Sequence, residues 1–98
     1  MENYIEVRRK DNGLRNFLKP DETFLSEEWF EAVWDFCEGF ARVEREDEGF
    51  NFLTLDGTLL STEWFYFARD FQDGFAIVQR KDGDWYNLRT DGTLMKRD

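Results

Sequence analysis

The chain has 98 residues, 22 acidic and 13 basic side chains, no histidine, one cysteine and a formal charge of −9. That length allows one domain with a modest core and no deep, fully walled active-site cavity. The lack of histidine removes the usual zinc sites and His-activated nucleophiles, Cys37 has no intramolecular disulfide partner, and phosphate would be repelled by the acidity.

The N-terminal stretch "MENYIEVRRKDNG" lacks the apolar core of a signal peptide, and no run of about 18 apolar residues exists. With the single cysteine, this leads us to expect a cytoplasmic protein. Residues 4–13 read as half of a hairpin, closed by the turn "KDNG".

From residue 16 the chain begins a phrase that it later repeats. "NFLKPDETFLSEEWF" at 16–30 lies over "NFLTLDGTLLSTEWF" at 51–65, and "DFCEGFARVE" at 35–44 over "DFQDGFAIVQ" at 70–79. A partial third copy, "WYNLRTDGTLM", covers 85–95, and Tyr4, Val7 and Arg9 match Phe40, Val43 and Arg45 after one extra turn residue. Units of this length are supersecondary modules that bury their apolar faces by stacking on neighbours. We place them at 14–48, 49–83 and 84–98, after the N-terminal half-hairpin, in one domain covering 1–98.

Within each unit the signals are those of strands. "FARVERE", "FNFLTL" and "FAIVQRK" are short, rich in aromatic and β-branched residues, and bounded by polar turns. "EDEG", "KDGD" and "DGT" suit tight hairpins, and "CEGF" and "QDGF" predict left-handed Gly39 and Gly74. Glu22 stands where the other copies have the glycine of "DGT", at a cost of roughly 1 kcal/mol if that position is left-handed. In "LSEEWFEAVWDF", Ser26 could cap a short helix, but strands with at most one helical turn are expected.

The expected fold is therefore all-β: tandem antiparallel hairpin or meander repeats forming a small open sheet or barrel-like array. Trp29, Trp64, Phe36, Phe71, Phe40 and Phe75, with Gly39 and Gly74, recur in the repeat and are assigned to it as structural residues.

The block "DFQDGFAIV" and the phrases around it resemble the WG β-repeat family, whose units read N-F-[IL], D-G, L-L-S, W-F and D-F-x-[ED]-G-F-A-x-V. The resemblance runs from Tyr4 to Met95, and departs from the pattern at the aromatic position before N-F-[IL], where Arg15, Phe50 and Trp85 stand, and at Glu22. It implies an all-β repeat array of bacteria or their phages, with no assigned chemistry. "GDWYNLRTDGTLM" is also similar to choline- or glucan-binding wall repeats, so a carbohydrate-binding module is an alternative. Those repeats have a shorter period and belong to secreted proteins.

Carboxylates at repeated turns, such as Asp21, Asp56 and Asp91, are better explained by folding than by catalysis, and each loop has too few oxygens for calcium. No catalytic residue, metal or cofactor is assigned, and no enzyme activity is expected.

Charge supplies the functional signal. Residues 21–48 hold eleven acids and two bases, while the rest of the chain holds eleven of each. Folding does not require that asymmetry, which solubility of an acidic protein explains as readily as a negative face for a basic partner. Glu27, Glu31, Glu44, Glu46 and Glu48 correspond to Thr62, Tyr66, Gln79, Lys81 and Gly83 in the second copy, and Trp34 corresponds to Arg69. These six residues are the candidate binding face for a protein with a basic surface. An alternative is a small phage-encoded antagonist, of anti-defence or anti-CRISPR type, that mimics nucleic-acid charge. Direct nucleic-acid or membrane binding is not expected. Uncovered faces on the terminal units would suit a homodimer.

Overall fold

A computed structural model describes residues 3–97 of the chain, and the described residues contain strands and turns with no helix. Nine strands follow in order: β1 (Ile5–Arg8), β2 (Arg15–Leu18), β3 (Ala32–Cys37), β4 (Phe40–Arg45), β5 (Gly49–Thr54), β6 (Phe67–Ala68), β7 (Phe75–Gln79), β8 (Trp85–Arg89) and β9 (Leu94–Lys96). They form three antiparallel meanders, β1-β2, β3-β4-β5 and β6-β7-β8-β9, called here the first, middle and last sheets. All three are open. None closes into a barrel, and the single sheet also allowed by the sequence is divided into three. The sheets change over near residues 31 and 66, so they are out of phase with units drawn at 14, 49 and 84.

The hairpins follow from their turn residues. Glu38 and Gly39 have φ of 53° and 87°, and Asp73 and Gly74 have 56° and 91°. Two successive positive φ values make the type I′ geometry that matches strand twist. In this turn the acidic residue also takes the left-handed conformation, and it bears the strain that glycine escapes.

The ambiguous stretch after "NFL" is neither helix nor regular strand. Bridges Leu18–Phe24 and Arg15–Phe30 return it alongside β2, and Leu53–Leu59 and Phe50–Phe65 do the same beside β5. Between the two bridges the returning chain is longer than its partner and must loop out. A wholly buried asparagine holds each loop. The Asn16 Oδ1 accepts from the N–H groups of Phe17 (2.7 Å) and Ser26 (3.2 Å), and its Nδ2 donates to the Ser26 carbonyl (2.8 Å). Asn51 makes the same three bonds to Phe52 and Ser61 at the same lengths. Ser26 caps no helix; its Oγ accepts from the N–H of Glu28, as Ser61 does for Glu63. Tyr86 occupies this sequence position in the last sheet, and there β9 pairs with β8 without interruption from Leu88–Leu94 to Tyr86–Lys96.

Side chains alternate across a strand, and the middle sheet uses both of its faces. Ala41, Val43 and Leu53 join Phe17, Leu25 and Phe30 in one core against the first sheet. Phe40, Phe50 and Phe52 join Phe65, Phe71, Ala76 and Val78 in a second core against the last sheet. Phe30, Phe52 and Phe65 are completely buried, each contributing roughly 2–3 kcal/mol of apolar transfer free energy. The ring contacts Phe17–Phe36 and Phe52–Phe71, 5.0 and 4.9 Å between centroids, occupy equivalent places in the two cores.

Polar joints accompany the cores. Arg45 forms a two-pronged pair with Glu28 (2.7 and 2.6 Å), while its guanidinium lies 4.1 Å from the Trp64 ring. Arg80 repeats the pair with Glu63 at 2.7 Å. Trp29 and Trp64 are half-buried; Trp29 lies against Arg9, and Trp64 packs on the first core while Arg45 covers its ring. The planar guanidinium can satisfy a carboxylate at its edge and a ring at its face simultaneously, which suits it to such a joint.

Candidate interaction surface

The candidate acids are positioned by the end of the β3–β4 ladder and by the turn that follows it. Ala32 pairs with Glu44, and the Glu31 N–H donates to the Glu44 carbonyl at 2.9 Å, bringing these two residues side by side. Beyond Arg45 the chain turns through Glu46, Asp47 and Glu48. Asp47 takes a φ of 66°, and the Glu48 N–H closes the turn on the Arg45 carbonyl at 3.1 Å.

Glu31, Glu46 and Glu48 are exposed, and Glu44 is half-buried. Glu48 pairs with Arg45 at 3.2 Å, and its carbonyl accepts from Lys81 of the last sheet. Among the described residues, the carboxylates of Glu27, Glu31, Glu44 and Glu46 make no ion pair. The pairing gathers these acidic residues at one end of the sheet, where their negative charge favours a basic neighbour.

Glu27 sits apart on the looped segment, lining a groove with Leu25, Asp56 and Thr58. Trp34, the aromatic member of the candidate face, is only partly open to solvent. It lies in a bulge of β3, between Val33 and Phe36, which turns it toward the last sheet. The ring is half-buried, 5.9 Å from Phe50 and 4.3 Å from the Arg42 guanidinium. Arg42 in turn donates to the Ala68 carbonyl at 2.6 Å and lies 3.5 Å from Asp70. Trp34 therefore belongs to the joint between the middle and last sheets, with only its remaining surface available outside. Phe50 is both its ring neighbour and the ladder partner of Glu44, so the tryptophan adjoins the acidic edge.

Of the structural residues, Phe71 is buried, while Phe36, Phe40 and Phe75 are half-buried. Phe40 stacks on Phe71 at 4.3 Å. Two further residues are important to these joints, Glu38 at the acidic position of the repeated block and Arg42, which the repeat does not mark. Glu38 accepts from the N–H groups of Asp73 and Gly74 at 2.8 and 2.9 Å, fastening one type I′ turn to the next, and Arg42 ties Trp34 to Ala68. Arg42 has Ile77 as its counterpart, so repetition hides it. Arg45 and Arg80, by contrast, follow Glu28 and Glu63 at the same spacing, which was a legible pairing signal.

The Cys37 thiol is half-buried and pushed up from its usual value, first by burial and then by the nearby Asp70 carboxylate. Both effects hold it as the thiol, the poorer nucleophile. Among the described residues no group of three or more Cys, Asp or Glu could hold a metal ion, and no helix could cross a membrane. No protein-family model and no curated protein sequence matches the chain.

Proposed function

We propose that the protein is a non-enzymatic β-repeat module that binds a protein with a basic surface through the acidic edge of its middle sheet. The observation supporting this reading is the convergence of Glu31, Glu44 and Glu46, without ion-pair partners among the described residues, at one end of β3 and β4. Their counterparts in the second copy are Tyr66, Gln79 and Lys81, so the charge is a property of this sheet and not of the repeat. Arg45 and Glu28 belong to the joint beneath it.

The test is the simultaneous exchange of Glu27, Glu31, Glu44 and Glu46 for Gln. Melting is expected to stay unchanged or rise slightly as self-repulsion is relieved. Association with a basic protein partner captured by the wild type is expected to slow about tenfold or more at low salt, and the difference to shrink as salt rises. A variant that associates as fast as the wild type at low salt removes the reading.

A further inference from the structure

The two outer faces of the molecule reproduce the two sides of its internal sheet junctions. Tyr4 reaches toward the middle sheet, with its hydroxyl on the Leu55 carbonyl at 3.2 Å and its ring 5.7 Å from Phe36. Alternation along β1 then directs Ile5 and Val7 to the opposite, outer face. Val7 shares a groove there with Leu18 and Phe24. Ile5 is 62% exposed and Phe24 52%. By sequence period these four residues correspond to Ala76, Val78, Leu88 and Leu94, which the last sheet packs into its core against the middle sheet.

At the other end, Ala76 and Val78 are buried inward, so Phe75 and Ile77 face outward together with Met95, which is 49% exposed. Phe75, Trp85 and Met95 correspond to Phe40, Phe50 and Leu60, the residues that the middle sheet presents to the last one. Among the described residues, each outer face is thus an uncovered copy of one half of a junction whose other half is uncovered at the opposite end.

We propose that these faces receive a second copy of this chain, head to tail, with the last sheet of one copy seated on the first sheet of the next. The internal junctions supply the pattern, and charge agrees with it. A pairing of two first sheets would oppose the Arg8-Arg9-Lys10 runs of both copies, whereas the outer face of the last sheet carries both signs, with Arg69 and Arg89 among Asp70, Asp73 and Asp91. A head-to-tail contact leaves one face free at each end of a dimer, so the assembly grows with concentration beyond a dimer, into an open array or, where the rotation closes, a ring. This inference is independent of the acidic edge.

The experiment is sedimentation velocity of the full chain up to about 1 mM, the weak end of specific association. It compares wild type with Ile5→Glu/Phe24→Glu on the first sheet and Ile77→Glu/Met95→Glu on the last. The wild type is expected to grow with concentration. Each double variant should remain monomeric alone, with association weakened about tenfold or more. An equimolar mixture of the two should form a dimer through the one intact pair of faces. If a double variant fails to keep the wild-type circular dichroism, the exposed single changes Ile5→Glu and Met95→Glu replace it in the same scheme. A wild type that stays monomeric, a variant that still associates alone, or a mixture that does not recover a dimer overturns the proposal.

Discussion

Gly57 lies directly beneath the carbonyl of Leu25 in the preceding sheet, so close that a Cβ added to it would come within 2.0 Å of that oxygen. Its φ is 85°, so a side chain there is excluded by backbone contact as well as by local strain. Gly74, at 91°, has no heavy atom within 4 Å of the same imaginary Cβ. Gly57→Ala should therefore destabilise by about 3 kcal/mol or more, and Gly74→Ala by about 1 kcal/mol, as measured by urea unfolding. Equal losses at the two sites would mean that the sheets do not meet at Gly57.

Glu22 holds the equivalent turn position in the first sheet, with φ of 68° and an exposed side chain. The strain is present without the close backbone contact that requires glycine at residue 57. Glu22→Gly should stabilise the protein by somewhat less than about 1 kcal/mol, because relief of the left-handed penalty is partly offset by the entropy glycine loses on folding. Thermal melting would show it as a small rise.

The buried asparagines give the sharpest contrast of chemistry with size. Asn51→Ala leaves the N–H groups of Phe52 and Ser61 and the Ser61 carbonyl without their partner. A loss of about 2–4 kcal/mol is expected, larger than removal of so small a side chain from a core would explain. Asn16→Ala should act in the same direction. Chemical denaturation tests both, and hydrogen exchange at Ser61 should accelerate in the Asn51 variant.

Asp91 is held below the ordinary carboxylate range by the Thr93 hydroxyl and then by the Thr93 N–H. A lowered folded-state pKa means that the ionised form is favoured by folding. Its contribution is present above the unfolded pKa and is lost as pH falls through the folded one. Thr93→Val should raise the Asp91 midpoint in a carboxyl NMR titration and weaken this acid-side dependence. Asp21, lowered in the same way by Thr23, should be unaffected.

Strand identity and turn geometry were legible because each rests on local chemistry. Aromatic and β-branched runs lay between polar turns, and Gly39, Gly74 and the position of Glu22 all proved left-handed. The looped segments were not legible. Asn16 and Asn51 stood out as repeats, but "NFL" reads as an ordinary strand until a residue ten positions later comes back to bond with the asparagine. Trp34 was legible only as an exception to the repeat. Its place depends on Arg42 and on Ala68 in another sheet, and no local pattern carries such a contact. The charge excess of residues 21–48 was plain in sequence, whereas its separation into Glu28 at a joint, Glu38 on a turn and Glu31, Glu44 and Glu46 at an edge required the pairing register.

β4 has a consequence for how the chain can go wrong. Its successive side chains enter two different cores, and the two cores share no residue. A one-residue slip of β4 would send Phe40 and Arg42 into the space fitted to Ala41 and Val43, and those small residues into the space fitted to the ring and the guanidinium. Both cores would fail together, so the central strand has no near-native alternative alignment. No side chain of β1 belongs to either core, and of β9 only Leu94 packs against one, so a slip there spoils less. Misaligned pairing should therefore begin at the two outermost strands, leaving the centre as the template from which they are corrected.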